Sequence, residues 1–282
     1  MIKSPFRYPG GKSKKAIVEW ILHHAPTTIQ EYREPFVGGG GVFFAMPDTI
    51  PRRWINDKHL GLMTVYEALR SRPVEFITAC KRIAPAMDGE PLTPPGPRGG
   101  RPMNARLATI FEDMKQNPAC DTALRYFFIN RTVHGGRVNY DIPSRIYFSN
   151  PEGWNIVKTD RLEKCAIHLQ NTKITCGDYE KLLMYPGEDV WIYMDPPYYV
   201  NSELHRCSQL YQHNFAAADH ERFAAAVLCC PHKFALSYDD CDMVRSLFKG
   251  FNIVENKWTY CGAASNKKKA TGNEVLILNY EP

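Results

Sequence analysis

The chain has 282 residues, of which 44% are hydrophobic and 23% charged, with a formal net charge of +5. This is the balance of a globular chain large enough for one big domain or two linked ones, and its mild basicity is compatible with a polyanionic partner without demanding one. No apolar run is long enough to span a bilayer, the start Met1 to Arg7 lacks the apolar core of a signal peptide, and the nine cysteines contain no C-x-x-C pair, which argues against membrane, zinc-ribbon and dithiol-redox functions. The cysteines are therefore expected to be reduced thiols in a cytoplasm.

In chain order, Ala16 to Leu22 has helical apolar spacing and follows the basic stretch Lys12 to Lys15. Arg33 to Val37 reads as a strand that runs into the glycines Gly38 to Gly41, and Val42 to Met46 opens a short apolar helix. A second strand, Arg53 to Ile55, closes on Asn56-Asp57. Strand, glycine turn, helix, strand and acid make the first half of a nucleotide-binding α/β unit. Residues Gly61 to Ile83 and Asn104 to Val133 have helical spacing, separated by a Pro- and Gly-rich stretch, Pro85 to Pro102, that reads as an exposed loop. Strands and helices alternate again from about Thr159. Lys173 to Cys176, Val190 to Met194, Lys233 to Ser237, Asn252 to Asn256 and Val275 to Tyr280 look like strands, and His220 to Cys230 like a helix. The two α/β pieces, 1–60 and 159–282, are expected to share one sheet, with 61–158 inserted as a helical second domain.

The motif richest in chemistry is Asp195-Pro196-Pro197-Tyr198, delivered by the apolar run Val190 to Met194. The Asp195 carboxylate and the Pro196 carbonyl can accept hydrogen bonds from one amino group, at a separation limited by the prolines. The Tyr198 ring can stack on a flat substrate. Such a pair of acceptors draws a conjugated, weakly nucleophilic amine toward a tetrahedral shape with its lone pair free. The plain alternative is a proline turn that ends a strand.

The glycine run lets backbone approach a ligand closely, and Asp57, ending the next strand about 20 residues on, is placed for ribose hydroxyls or as a helix cap. Gly10-Gly11-Lys12-Ser13 is not a P-loop, because Phe6 stands where that motif needs glycine. A glycine turn with a reaching lysine suits a cofactor carboxylate or a DNA phosphate instead. Cys176-Gly177-Asp178-Tyr179 puts an acid and a ring at another strand end, for an adenine amino group or for a helix cap. Arg125 to Tyr140 carries arginines among aromatics and amides. Phe127, Phe128 and Ile129 read as core, whereas Arg131, Arg137 and Asn139 are candidates for DNA contact. Lys267, Lys268 and Lys269 form a second basic candidate for the phosphate backbone.

In this order the motifs resemble the Dam-like class of DNA adenine-N6 methyltransferases over nearly the whole chain. The resemblance matches Phe6 to Lys12, including Tyr8, Gly11 and Lys12, to a cofactor segment, and Glu34, Pro35, Phe36, Gly38, Gly39 and Gly40 to a glycine motif. It matches Asp57 to a ribose-binding acid, Asp178 and Tyr179 to a cofactor-adenine contact, and Asp195, Pro196, Pro197 and Tyr198 to the catalytic tetrapeptide, with Asp195 also facing the cofactor. It implies an α/β, Rossmann-like class I methyltransferase mixed sheet with a reversed strand near the C-terminus and an inserted, mainly helical target-recognition domain. It also implies S-adenosylmethionine as donor and a duplex adenine flipped from the stack. The expected setting is a monomer that needs no metal and acts in a prokaryotic or phage-encoded, cytoplasmic context such as restriction-modification. The shortened turn with Gly135-Gly136 before Arg137 departs from the family pattern, in the part expected to read DNA. The alternatives are methylation of cytosine N4, RNA or a protein amide, and an inactive DNA-binding homologue. The intact tetrapeptide and glycine run argue against the last.

Overall fold

A computed structural model describes residues 1–8, 12, 14–84, 92–93, 103–117, 119–140, 146–198, 215–259 and 271–281. Helix α1 (Lys15–His23) buries Ile17, Val18 and Ile21 along one face. Strands β1 (Glu31–Glu34) and β2 (Arg52–Asp57) follow, with the glycine loop between them. The helix predicted after the glycines is only a 3-10 turn, Phe43–Ala45. Met46 is extended, with ψ 145°, because it precedes Pro47, whose ring disfavours helical backbone in the residue before it.

The predicted helical stretch divides into α2 (Leu60–Ser71) and α3 (Pro73–Ile83), with Pro73 at the first position of the second helix, where its missing N–H costs nothing. A two-stranded hairpin, β3 (Leu92–Thr93) and β4 (Met103–Asn104), precedes α4 (Ala105–Gln116) and α5 (Thr122–Thr132). Asn104 and Asp121 cap these helices, accepting from the amides of Leu107 at 2.9 Å and Leu124 at 2.8 Å. The chain continues through α6 (Arg161–His168), β5 (Thr172–Cys176), α7 (Glu180–Met184), β6 (Val190–Met194), α8 (Ala217–Leu228), β7 (Lys233–Asp239), α9 (Asp242–Leu247), β8 (Asn252–Thr259) and β9 (Thr271–Leu278).

The sheet has seven strands in the order β5-β2-β1-β6-β7-β9-β8. β5, β2, β1, β6 and β7 are parallel, and β9 runs antiparallel to both β7 and β8. This is the mixed, Rossmann-like sheet that the resemblance implies, with one reversed strand near the C-terminus. Parallel strands buried on both faces need apolar residues pointing both ways. In β6, Val190, Ile192 and Met194 enter one core and Trp191 and Tyr193 the other. The helical segment shares the second of these cores: Phe76, Phe111, Phe127 and Trp154 belong to the same cluster as Tyr32 and Trp191.

From β1 the chain winds outward through β2 to β5, then returns to β6 on the opposite side. The β1–β6 boundary is thus a topological switch point, the place where open α/β sheets take ligands beyond the carboxyl ends of their strands.

Candidate active site

The parallel strands β5, β2, β1 and β6 end side by side. Their carboxyl ends therefore set Asp178, Asp57, the loop after Glu34 and Asp195 in a row along one edge. With neighbouring strands ~4.8 Å apart, the row is roughly 14 Å long.

The glycine loop is a tight construction. Gly38 and Gly40 have φ of +45° and +69°, which non-glycine residues rarely adopt. A Cβ on Gly38 or Gly39 would come within 2.8 Å of Tyr8, so Tyr8 packs directly on the loop. The Tyr66 hydroxyl donates to the Gly38 carbonyl at 2.9 Å, and the Ser4 hydroxyl to that of Gly39. Asp57 accepts from the Gly38 amide at 2.9 Å and from the His59 amide at 2.9 Å. It is not the cap of α2: His59 is, accepting from the Leu62 amide at 3.3 Å. Asn56 ties the row together, donating to the carbonyls of Pro35 at 3.1 Å and Gly177 at 2.9 Å.

Glu34 and Pro35 are buried. Burial pushes the Glu34 carboxyl well above the usual range, although the Tyr32 hydroxyl and the Phe43 amide both donate to it. Glu34 is thus engaged inside the loop's base. Phe36 is half-buried in an aromatic cluster, 5.3 Å from Tyr179 and 5.5 Å from Phe223 between ring centroids. Asp178 is exposed, accepts from the Glu180 amide at 3.0 Å and pairs with Arg222 at 2.7 Å. Its slight burial opposes ionisation, but Arg222 and that amide outweigh it and hold the carboxyl below its ordinary range. Arg222 also lies 4.9 Å from the Tyr179 ring centroid.

At the end of β6, the Asp195 side chain is 25% exposed and lies 3.5 Å from the Lys12 ammonium. Lys12 donates to Glu274 at 2.7 Å and to the Tyr198 hydroxyl, with its nitrogen 4.9 Å from the Tyr198 ring centroid. Tyr198 stacks on Tyr238 at 5.9 Å and 28°, and the Tyr238 hydroxyl is hydrogen-bonded to His220. Pro196 is buried and Pro197 half-buried. Burial pushes the Asp195 carboxyl up, Lys12 pulls it down and Glu274 pushes it up again, leaving it above its ordinary value. For Lys12 burial favours the neutral amine, but Asp195 and Glu274 together overcome this and raise its pKa. Asp239, at the end of β7, is pushed up to about 7 by burial and by Glu274.

The helical segment places its candidates differently. Arg131 donates to the carbonyls of Gly153 at 2.9 Å and Pro5 at 3.2 Å, and burial lowers its pKa to about 10, helped by the nearby charges of Arg7 and Arg161. Its guanidinium thus fastens the chain's start to the helical segment, a use that sequence spacing does not reveal. Arg137 is exposed and Asn139 half-buried, beside the turn of Gly135 and Gly136. Gly11 and Lys267, Lys268 and Lys269 lie outside the described residues, as does most of the Pro85 to Pro102 stretch.

Glu274 is the residue that sequence reading missed. It is 2% exposed at the head of the apolar run Val275 to Leu278, and the one local signal is an acid leading a buried strand. Only the antiparallel pairing of β9 brings it to the tetrapeptide. Among the described residues no helix is long and apolar enough to cross a membrane.

The family model for D12 class N6 adenine-specific DNA methyltransferases matches residues 8–261. Type II methyltransferase M.MjaIII of Methanocaldococcus jannaschii is 26% identical over an alignment that covers 99% of this chain and 99% of its own. Type II methyltransferase M1.LlaDCHI of Lactococcus lactis subsp. cremoris is 24% identical, with 98% and 95% covered. A DNA adenine methylase of Haemophilus influenzae is 26% identical over 69% of this chain and 63% of its own. The chain belongs to the D12 class of N6 adenine-specific DNA methyltransferases.

Proposed function

We propose that this adenine-specific DNA methyltransferase takes its methyl group from S-adenosylmethionine lying along the β5-β2-β1-β6 edge. The methyl passes to N6 of an adenine flipped out of the duplex beside Asp195 and Tyr198. The row of strand ends carries this reading. Asp178 and Tyr179 would meet the adenine ring of the donor, Asp57 its ribose, and the loop from Pro35 to Gly40 its methionine portion, next to Asp195. The donor set suits the group: a carboxylate has about four acceptor sites, and Asp57 receives one backbone amide on each of its two oxygens. Phe36 and Tyr179 supply flat apolar surface next to Asp178. The donor contributes an electrophilic methyl group on a sulfonium.

The protein's own residues do the rest by positioning. The Asp195 carboxylate and the Pro196 carbonyl accept hydrogen bonds from the two N–H groups of the amine and free its lone pair, and one of these protons leaves the nitrogen once the methyl is attached. Tyr198, backed by Tyr238, presents a ring face for the flipped base. In this reading residues 1–60 and 159–282 carry the chemistry, and 61–158, with Arg137 and Asn139, meets the DNA.

Calorimetric titration with S-adenosylmethionine, followed by nucleoside analysis of a treated duplex, tests the proposal. The expected results are binding that Asp57→Ala weakens by ~1–3 kcal/mol, through lost charge-assisted hydrogen bonds, and N6-methyladenine as product. Unchanged affinity in a folded Asp57→Ala protein would remove the ribose role.

A further inference from the structure

Glu274 has no place in the functional reading so far, yet its carboxylate is buried and accepts from Lys12 at 2.7 Å. The β7–β9 register sets it directly opposite Asp239. Like charges on opposed residues of an antiparallel pair repel, so an acid at this position is costly unless a cation meets it. Lys12 is that cation. The same ammonium lies 3.5 Å from Asp195 and donates to the Tyr198 hydroxyl. One lysine therefore touches both side chains that bracket the target amine.

A lysine ammonium is a point charge on a flexible four-carbon stem and does not fix its own position. Between two carboxylates it settles according to the balance of their pulls. Glu274, on a sheet strand, holds Lys12 back from Asp195: the contact to Glu274 is the shorter, 2.7 Å against 3.5 Å. Asp195 also accepts from the Tyr198 hydroxyl, and a carboxylate has about four acceptor sites, so holding Lys12 toward Glu274 leaves room for the adenine amine. Among the described residues, Asp239 at the end of β7, Glu34 at the end of β1 and Tyr193 on β6 also act on this cluster.

We propose that Glu274 is a positioning residue which, through Lys12, sets the direction of the Asp195 carboxylate and of the Tyr198 ring. This rests on the reading of Asp195 and Tyr198 given above. If Glu274 is neutral, Lys12 should close on Asp195 and occupy the lone pairs that the target amine needs.

The test is single-turnover methyl transfer on a methylatable duplex by Glu274→Gln, Glu274→Asp, Lys12→Met and Lys12→Met/Glu274→Gln, with Asp195→Ala alongside. Glu274→Gln should lower the transfer rate by about 10- to 100-fold, the scale expected when a reacting group is misplaced by a fraction of an ångström to an ångström. Its S-adenosylmethionine affinity and thermal midpoint should stay close to wild type, a split that a general loss of structure would not give. Glu274→Asp keeps the charge and should recover part of the rate. In the Lys12→Met background the Glu274→Gln change should cost little more, because its effect passes through the lysine. A wild-type rate in Glu274→Gln beside a dead Asp195→Ala would overturn this inference alone. Full additivity in the double variant would overturn it too. An active Asp195→Ala would overturn the underlying reading instead.

Discussion

The sheet edge and the stretch from α5 into the following turn are both rich in polar side chains, and they spend them in opposite ways. Along the edge, backbone amides and neighbouring cations hold Asp57, Asp178 and Asp195 at the ends of their strands. In the second region most of the polar side chains are consumed internally. Arg125 donates to the carbonyls of Met114 at 2.5 Å and Lys115 at 2.9 Å. Asn130 exchanges hydrogen bonds with Arg7, 3.1 Å from its amide and 2.7 Å to its carbonyl, and also donates to the Gly136 carbonyl at 3.0 Å. Arg131 spans Gly153 and Pro5. A basic, amide-rich stretch can therefore be a joint between chain segments as well as a surface for DNA. In this one, Arg137 is the arginine left exposed.

The largest effect should come from the edge. Asp195→Ala removes one of the two acceptors proposed for the target amine, and methyl transfer should fall by about 10²–10³-fold or more, by analogy with the loss of a preorganised transition-state hydrogen bond. Cofactor affinity should change only a few-fold, and stability little, because the side chain is partly exposed. Filter-bound tritium counts with saturating duplex measure the first, and calorimetry the second. A rate within a few-fold of wild type would erase the contrast, since the edge would then be as structural as the joint.

The joint should fail in stability rather than in chemistry. Gly136 has φ +71°, and a Cβ there would lie 1.9 Å from the Arg7 carbonyl oxygen. That atom is backbone held by Asn130, so it cannot give way cheaply. Gly136→Ala should destabilise the protein by about 3 kcal/mol, the range for forced backbone strain with a clash. Chemical denaturation gives the number, and a change under 1 kcal/mol would mean that the joint yields. Arg131→Ala should follow at about 2 kcal/mol, from its lost charge-assisted bonds to buried carbonyls. If instead it left the denaturation midpoint unmoved but weakened DNA binding, Arg131 would belong with the DNA-facing residues and the two regions would be less distinct.

The same contrast explains what was legible in the sequence. The strands β2, β5, β6 and β7, the tetrapeptide, the glycine loop and Asp57 were readable because apolar runs end abruptly in turn residues and acids, a signal carried within a few neighbours. The sheet's reversed strand came with the family resemblance, since local pattern does not say which way a strand runs. Lys12 was legible as a reaching lysine but not its destination, and Glu274 not at all, because their meeting depends on the register of β9 against β7. Arg131 reads as a candidate for DNA contact because spacing counts charges, and its bond to the Gly153 carbonyl, 22 residues away in sequence, is invisible there. The helix expected after the glycines was cut short by Pro47, a stop signal present in the sequence and outweighed in that reading by the apolar run before it.

The smallest effect should be that of Arg137→Ala, and it separates the regions most finely. Arg137 is exposed at the end of the glycine turn, and its main-chain amide donates to the His134 carbonyl at 3.4 Å, a bond the substitution leaves in place. Stability should therefore stay within about 0.5 kcal/mol, as for most surface changes. Binding of free S-adenosylmethionine should be untouched, because among the described residues Arg137 makes no side-chain hydrogen bond or ion pair to the edge. If the guanidinium meets a phosphate, affinity should drop by about 1 kcal/mol on every duplex, and the salt slope should fall by about one. If it reads a guanine, the loss should concentrate at one base pair and relax preference there. Binding to the cognate and singly substituted duplexes at two salt concentrations tells these apart. An unchanged affinity, slope and preference in a folded Arg137→Ala protein would mean that this arginine is not a DNA-reading element, and that the DNA is read elsewhere on the molecule.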